Sequence, residues 1–317
     1  MIAALKAVTA RDGELFVEEH EDPQPGAGEV LVRVRAAGLN GADMLQRRGL
    51  YPAPPGSPQD IPGLELAGEV VALGPGAGRF SEGDRVMAIV GGGGQAELAT
   101  LHERAAMPVP GSVSWPEAGG LPEVFTTAHD AVFTQAGLQP GEHLLVHGAA
   151  GGVGTAAVQL AIAAGARVSA TVRNEELRDG VAALGARVIP PEGFGDHGPF
   201  DVILELVGAP NLAENVKSLN TMGRVVIIGI GAGAKAELNL GALMGSRGRI
   251  SASTLRARPL EEKAAAMRRV EKNVLPLIES GVVRVPVHST YPLERAAEAY
   301  DAFAAGGKLG KIVIELG

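Results

Sequence analysis

The segment HGAAGGVGTAAVQLAIAAGARV, His147 to Val168, sets glycines where an apolar run, HLLV, ends and an alanine-rich, helix-favouring run begins. Ala149, Gly151 or Gly152, and Gly154 give the spacing A-x-x-G-x-x-G. Glycine at such a junction permits a tight turn and lets backbone N–H groups approach a pyrophosphate, which then sits against the partial positive charge of a helix N-terminus. The plainer alternative is a glycine turn that only packs strand on helix. Placement between strand and helix, inside a unit of about thirty residues, favours a dinucleotide cradle formed by Gly151, Gly152, Val153 and Gly154.

A second position selects the dinucleotide, because an Asp or Glu about 20 residues past the glycines would hold the ribose 2′-hydroxyl of NAD. The next apolar run ends VSATVRNEE, so Val172 stands where the acid is expected and Arg173 follows it. A guanidinium there suits a 2′-phosphate, and NADPH is the expected cofactor. The alternative makes Arg173 a solvated charge at a helix start, with Glu175 and Glu176 serving the helix dipole. Leu206, Val207 and Gly208, with Gly229, fall at the carboxyl ends of later apolar runs, where open α/β sheets bind ligands. They are predicted to face the cofactor riboses, the alternative being ordinary strand-to-loop glycines.

These residues need particular elements to hold them. To about residue 120 the chain is dense in Gly and Pro, with short alternating runs such as EVLVRVRAAG (Glu29 to Gly38) and DRVMAIV (Asp84 to Val90), the pattern of a β-rich domain. The opening MIAALKAVTARDGELFV reads as a first strand. After Pro122, apolar runs alternate with helical stretches, which predicts an α/β, doubly wound parallel sheet. Its expected strands are 143–147, 167–171, 187–190, 201–206, 224–230 and 249–254, and its helices 155–164, 174–184 and 212–219. Helices follow at 261–280 and in LERAAEAYDAFAAG, and the closing strand GKIVIEL returns to the β-rich domain.

Composition limits the function. The chain has 317 residues, 46% of them hydrophobic, enough for two cores of ordinary size. A net charge of -8 argues against nucleic acid and against an anionic membrane as partners. With no cysteine there is no disulfide, thiolate nucleophile or cysteine-bound zinc. Seven histidines stand at 20, 102, 129, 143, 147, 197 and 288, none in a helical i,i+4 pair, so no metal site is expected. No apolar run approaches the roughly 20 residues of a membrane-spanning helix, and a cytoplasmic location is expected. G-x-S-x-G, G-x-x-x-x-G-K-[ST] and H-E-x-x-H motifs are all missing, which removes the central parts of hydrolase and kinase readings.

Taken in order, VRVRAAGLNGADMLQRRGLYPAPPG, IPGLELAGEV, FSEGDRVMAIV, LPEVFTTAHDAV, VHGAAGGVGTAAVQLA and GKIVIEL resemble the zinc-independent quinone oxidoreductases, the zeta-crystallin-like members of the medium-chain dehydrogenase/reductase superfamily. The resemblance implies a GroES-like catalytic domain from both chain ends (1–121 and 272–317), a Rossmann domain between them (122–271), and an active site in the cleft. It also implies a homodimer paired through RISAST. Zinc enzymes of the superfamily bind their catalytic metal with a cysteine near the position of Asn40 and a histidine near that of Leu64; this chain offers neither and keeps only the neighbouring Glu65.

By the same resemblance Asn40, Tyr51 and Thr127 meet the substrate beside the nicotinamide. An amide and two hydroxyls can orient a carbonyl oxygen without a fixed charge that repels the developing enolate. Each has a plainer alternative: Asn40 satisfies a turn, Tyr51 anchors a loop, and Thr127 caps a helix beginning TTAHDAV. Thr254 and Leu255, in STLRAR, are placed on the cofactor side by the resemblance, and Lys311 in the last strand is expected to approach the cofactor, the alternative being that it faces solvent. One departure is that VIPPEGFGDHG lacks the tyrosine that packs on adenosine in several relatives. The expected activity is metal-free hydride transfer from NADPH to a quinone or another conjugated carbonyl, since such acceptors need no Lewis acid. Two alternatives stay open: a 2-enoyl thioester reductase, and a non-enzymatic NADPH-binding scaffold.

Overall fold

Six apolar runs between residues 143 and 252 pair into one sheet, each with its neighbours in parallel. Across it the strands stand Arg187–Ile189, Arg167–Thr171, His143–Val146, Phe200–Glu205, Leu219–Ile227 and Arg249–Ala252. In order along this segment that is 3-2-1-4-5-6, the doubly wound pattern, and the direction reverses between His143–Val146 and Phe200–Glu205. The geometry comes from a computed structural model, which describes residues 4–317; Met1 to Ala3, the start of the expected first strand, lie outside the described residues. Strands covered on both faces need apolar side chains throughout, and Leu144, Leu145 and Val146 are fully buried.

Several element limits differ from the sequence reading for local reasons. The single helix expected at 174–184 is a 3₁₀ turn, Glu175–Leu177, followed by Arg178–Ala182, because the Asn174 side chain accepts from Glu176 N at 3.1 Å and starts a tight turn. The fifth strand begins at Leu219, ahead of Arg224, its polar opening residues hiding the pattern. A helix, Leu240–Ser246, was not foreseen in the glycine-interrupted LGALMGS; Asn239 caps it by accepting from Ala242 N at 3.0 Å.

The β-rich unit is built on a seven-stranded sheet ordered Val287–Pro292, Lys311–Glu315, Glu29–Gly38, Glu65–Leu73, Arg85–Ile89, Ala106–Pro108, with Leu98–His102 also pairing to Glu29–Gly38. The closing strand thus lies antiparallel to Glu29–Gly38, Val313 facing Gly38. The expected first strand is a hairpin, Ala4–Arg11 and Glu14–Glu21, turned by Asp12 and Gly13, both at positive φ. Val30, Val32, Val34, Leu66, Val86, Ile312, Ile314 and Tyr300 form the core of this unit.

The chain divides into two compact units, one running to Thr126 and including Leu255–Gly306 and Lys311–Gly317, the other Thr127–Thr254 with Gly307–Gly310. The helix Leu260–Asn273 belongs with the β-rich unit, whereas the sequence reading put residues up to 271 with the parallel sheet. Its buried face explains the difference: Met267 takes a hydrogen bond from the Thr126 hydroxyl at 3.5 Å, and Arg268 bonds the Ala106 carbonyl.

Candidate active site

In the parallel-sheet unit the glycine segment turns directly from the strand His143–Val146 into the helix Gly152–Ala163, with Gly151 as N-cap at φ -74°. No side chain caps this helix and no acid stands in its first turn, so the N–H groups of Gly152, Val153 and Gly154 stay available to an anion. A Cβ on Gly151 would find only the Gly148 carbonyl, 3.5 Å away, whereas one on Gly154 would lie 2.6 Å from Ala149 Cα. Gly154 therefore holds helix against turn, and Gly151 leaves room for a ligand. This cradle fits a dinucleotide. Gly310, just ahead of the closing strand, braces it by donating its N–H to the Ala150 carbonyl at 2.8 Å.

Across the switch point, Leu206 to Gly208 leave the strand Phe200–Glu205 over a buried carboxylate. Glu205 Oε1 accepts from Val207 N at 2.6 Å and Gly208 N at 2.8 Å, and Oε2 accepts from Asn215 Nδ2 at 2.8 Å. That assignment turns Asn215 Oδ1 toward His147 Nε2, 2.8 Å away, so Nε2 carries the proton and Nδ1 accepts from the Thr171 hydroxyl at 3.0 Å. Burial holds the His147 imidazole below its usual pKa, which keeps it neutral. One network thus ties together the ends of the three strands that flank the cradle. Glu205 and Asn215 were missed in the sequence, where nothing marks an acid and an amide ten residues apart as partners. Gly229 is compulsory beside them, since its Cβ would lie 2.2 Å from the Leu206 carbonyl oxygen.

Arg173 follows the buried Val172, is exposed, and makes no ion pair among the described residues. Thr254 ends the parallel-sheet unit and Leu255, buried, opens the return segment. Thr127 lies inside the helix Pro122–His129, which begins at Pro122, so Thr127 is not the cap that the alternative reading made it.

The β-rich unit gathers a second set. Asn40 does cap a helix, Gly41–Arg47: its backbone N–H donates to Asp43 Oδ2 at 2.8 Å. Its side chain is equally committed, with Nδ2 donating to Glu65 Oε1 at 2.9 Å and to the Gly38 carbonyl at 3.3 Å. The expected carbonyl-orienting amide therefore has both N–H groups engaged. Lys311, expected to approach the cofactor or to face solvent, is buried here at 3% exposure, which removes the solvent-facing alternative. Its Nζ donates to Glu65 Oε1 at 2.6 Å, the Leu39 carbonyl at 2.6 Å and Asn40 Oδ1 at 2.8 Å, which uses all three donors.

Asp43 is fully buried, and desolvation is the main cause of a carboxyl raised from 3.8 to about 6, against the opposing hydrogen bonds from Asn40 and Gly63. A folded value above the unfolded one means that this group stabilises the fold fully below pH 3.8 and that the contribution is lost as pH rises to about 6. The span of two units corresponds to about 3 kcal/mol. Melting temperatures from pH 4 to 8 should show wild type losing more stability across that window than Asp43→Asn; parallel curves would contradict it.

Tyr51 keeps its hydroxyl unbonded among the described residues, while its backbone carbonyl accepts from Arg256 Nη1 at 3.0 Å. Arg256, only 2% exposed, also donates from Nη2 to Gln46 Oε1 at 2.5 Å and from Nε to the Gly91 carbonyl at 2.8 Å. Its guanidinium carbon stands 5.0 Å from the Tyr51 ring centroid. Burial pushes the phenol up and the Arg256 charge partly offsets it. Asn40 and Tyr51, two of the three residues expected to meet the substrate, are thus linked through Arg256 and the helix Gly41–Arg47, and of that pair Tyr51 keeps an uncommitted donor among the described residues.

A glycine cradle at the switch point of a parallel sheet, carried in one chain with a GroES-like strand-rich unit, is the build of the medium-chain dehydrogenases/reductases, and the chain belongs to that superfamily. Residues 26–134 match the alcohol dehydrogenase GroES-like domain, and residues 190–314 the zinc-binding dehydrogenase family. The chain is 33% identical over 307 residues to quinone oxidoreductase of Rattus norvegicus, covering 93% of this chain and 91% of that one. It is 30% identical over 328 residues to acryloyl-coenzyme A reductase of Metallosphaera sedula, covering 94% and 95%. Among solved structures, an alcohol dehydrogenase superfamily protein from Novosphingobium aromaticivorans aligns with a TM-score of 0.87 at 28% identity, covering 99% of this chain and 100% of that one. The protein is therefore an oxidoreductase of a nicotinamide-dependent superfamily. Its residues do not suit zinc: Asn40 and Lys311 converge on Glu65, Leu64 is buried hydrocarbon, and no three His, Cys, Asp or Glu side chains gather among the described residues.

Proposed function

We propose that the protein is an NADPH-dependent reductase that delivers hydride to quinones or other conjugated carbonyls without a metal ion. The observation that carries this reading is the Lys311 ammonium seated on Glu65 and Asn40, with no ligand set for zinc among the described residues. An acceptor reduced without a Lewis acid must already be electron-poor. When bound, the nicotinamide supplies the hydride. Gly151, Gly152, Val153 and Gly154 hold the pyrophosphate, the Leu206–Gly208 turn and Gly229 hold the riboses, and the Tyr51 hydroxyl orients the acceptor oxygen. Arg173, charged, exposed and without an ion-pair partner among the described residues, supports a 2′-phosphate and hence NADPH.

A second reading has support of its own, the similarity to an acryloyl-coenzyme A reductase over nearly the whole chain. It keeps the residues and changes the acceptor to an enoyl thioester. A matrix of NADPH and NADH against a simple quinone, an enone and acryloyl-coenzyme A, with chelator throughout, separates the two. Turnover of the quinone with NADPH is expected, and inactivation by chelator refutes the metal-free reading. Arg173→Ala should raise KM for NADPH about tenfold, the worth of a charged hydrogen bond, and leave KM for NADH nearly unchanged. Equal effects on both would remove the arginine from the site.

The same reading includes a homodimer through the edge strand Arg249–Ala252, beside which the helix Leu240–Ser246 exposes Leu240 at 64% and Met244 at 76%. Met244→Lys should shift sedimentation velocity toward a monomer; a wild type that already sediments as a monomer refutes the dimer. No helix among the described residues is long and apolar enough to cross a membrane.

A further inference from the structure

An arginine buried to 2% exposure ordinarily sits against a carboxylate, because removing a guanidinium from water is costly. Among the described residues Arg256 has none within hydrogen-bond reach. Its three bonds run to neutral oxygens: the Tyr51 and Gly91 carbonyls and the Gln46 amide. Those acceptors come from a loop, a glycine turn and a helix, so one side chain joins three segments around Tyr51. The planar group also faces the Tyr51 ring, 5.0 Å from its centroid. The surrounding charges are few. Tyr51 feels Arg256 most and Glu123 second, in the opposite sense, whereas Arg256 is faced by Asp43, Tyr51 and Glu123. Lys263 adds a second cation, its Nζ donating to the Arg256 carbonyl at 3.2 Å.

We propose that Arg256 is the positioning residue of the substrate side: its locked guanidinium fixes Tyr51 and favours negative charge on the atom that the Tyr51 hydroxyl touches. The inference rests on the reading that Tyr51 meets the acceptor. Hydride brings two electrons to the acceptor carbon and leaves negative charge on the conjugated oxygen. The Tyr51 O–H bond then breaks as its proton passes to that oxygen, and water returns a proton to the phenolate, which the adjacent Arg256 cation stabilises. Neither step requires a redox partner beyond the nicotinamide. Because three of its five N–H groups are held by backbone and amide oxygens and the residue is only 2% exposed, Arg256 acts through Tyr51 and does not touch the acceptor.

The test needs no turnover. p-Nitrophenol, whose phenolate absorbs separately from the phenol, is bound to the wild-type protein in the presence of NADP+ and titrated with pH. The bound probe is expected to ionise about one pH unit lower in wild type than in Arg256→Met, a tenfold change in the equilibrium. Arg256→Lys, which keeps a charge but not the planar fork, should fall between them. An unshifted titration in a folded Arg256→Met protein that still needs Tyr51 to bind the probe overturns the role of Arg256 alone. Equal probe affinity in Tyr51→Phe overturns the reading of Tyr51 and this inference together. Should Arg256→Met fail to fold, Arg256→Lys decides: kcat on a quinone must fall at least tenfold with the NADPH Kd unchanged, and an unchanged kcat overturns the proposal.

Discussion

Gly154→Ala should raise the Kd for NADPH at least a hundredfold and lower the melting temperature. The added carbon would lie 2.6 Å from Ala149 Cα and 2.7 Å from both the Ala149 and Gly148 carbonyl oxygens. All three are backbone atoms, so no rotamer change can relieve the overlap, and the helix Gly152–Ala163 has to withdraw from the turn. That withdrawal moves the uncapped N–H groups of the first helical turn away from a bound phosphate. Each hydrogen bond to a charged group is worth about 1.5–3 kcal/mol, and about 2.8 kcal/mol is a hundredfold in affinity. Gly151→Ala separates the two uses of glycine in this loop. Its φ of -74° suits alanine and its Cβ meets only one atom, at 3.5 Å, so stability should hold while NADPH binding weakens if phosphate lies there. A Gly154→Ala protein that binds NADPH as wild type does would remove the cradle from the site.

The difference between those glycines shows what the sequence makes legible. Spacing alone placed Gly151 and Gly154 between a strand and a helix, because both ends of that unit lie within about thirty residues and the apolar periods change visibly. The parallel sheet was readable for the same reason: fully buried strands must be continuous apolar runs. Lys311 was not readable. A lysine in a strand normally lies at the surface, and nothing local shows that its ammonium meets Asn40 and Glu65, 271 and 246 positions away. Arg256 was hidden likewise, its partners Gln46, Tyr51 and Gly91 being at least 165 residues distant. The alternative that makes Thr127 a helix cap fails because Pro122, acceptable in a first helical turn, starts the helix earlier than the TTAHDAV pattern shows. The resemblance puts Asn40 beside the substrate, but donor capacity is taken up by neighbours, and only the fold reveals that its two amide hydrogens are already engaged.

Lys311→Met is expected to destabilise the protein by about 3–5 kcal/mol, the cost of leaving one partner of a buried ion pair alone. Glu65 is fully buried and would retain only the Asn40 amide and the Glu123 backbone N–H as donors. The site cannot easily take in water to replace the ammonium. A Cβ on Gly38 would lie 2.5 Å from Glu65 Oε1 and 2.9 Å from Lys311 Cε, and one on Gly120 would lie 3.1 Å from Lys311 Cγ, so glycine backbone packs directly against the pair. Glu65→Leu should be destabilising by a similar amount, for it strands the lysine. The double variant Lys311→Met/Glu65→Leu should recover most of the loss, because a buried pair replaced by hydrocarbon of similar volume is often neutral in stability. Chemical denaturation of the four proteins measures the coupling directly, and additive losses would show that the pair does not act as a unit. If stability returns in the double variant while quinone reduction does not, the pair serves to hold Asn40 and the helix Gly41–Arg47 in register with Tyr51. The fold then commits a desolvated charge pair to positioning.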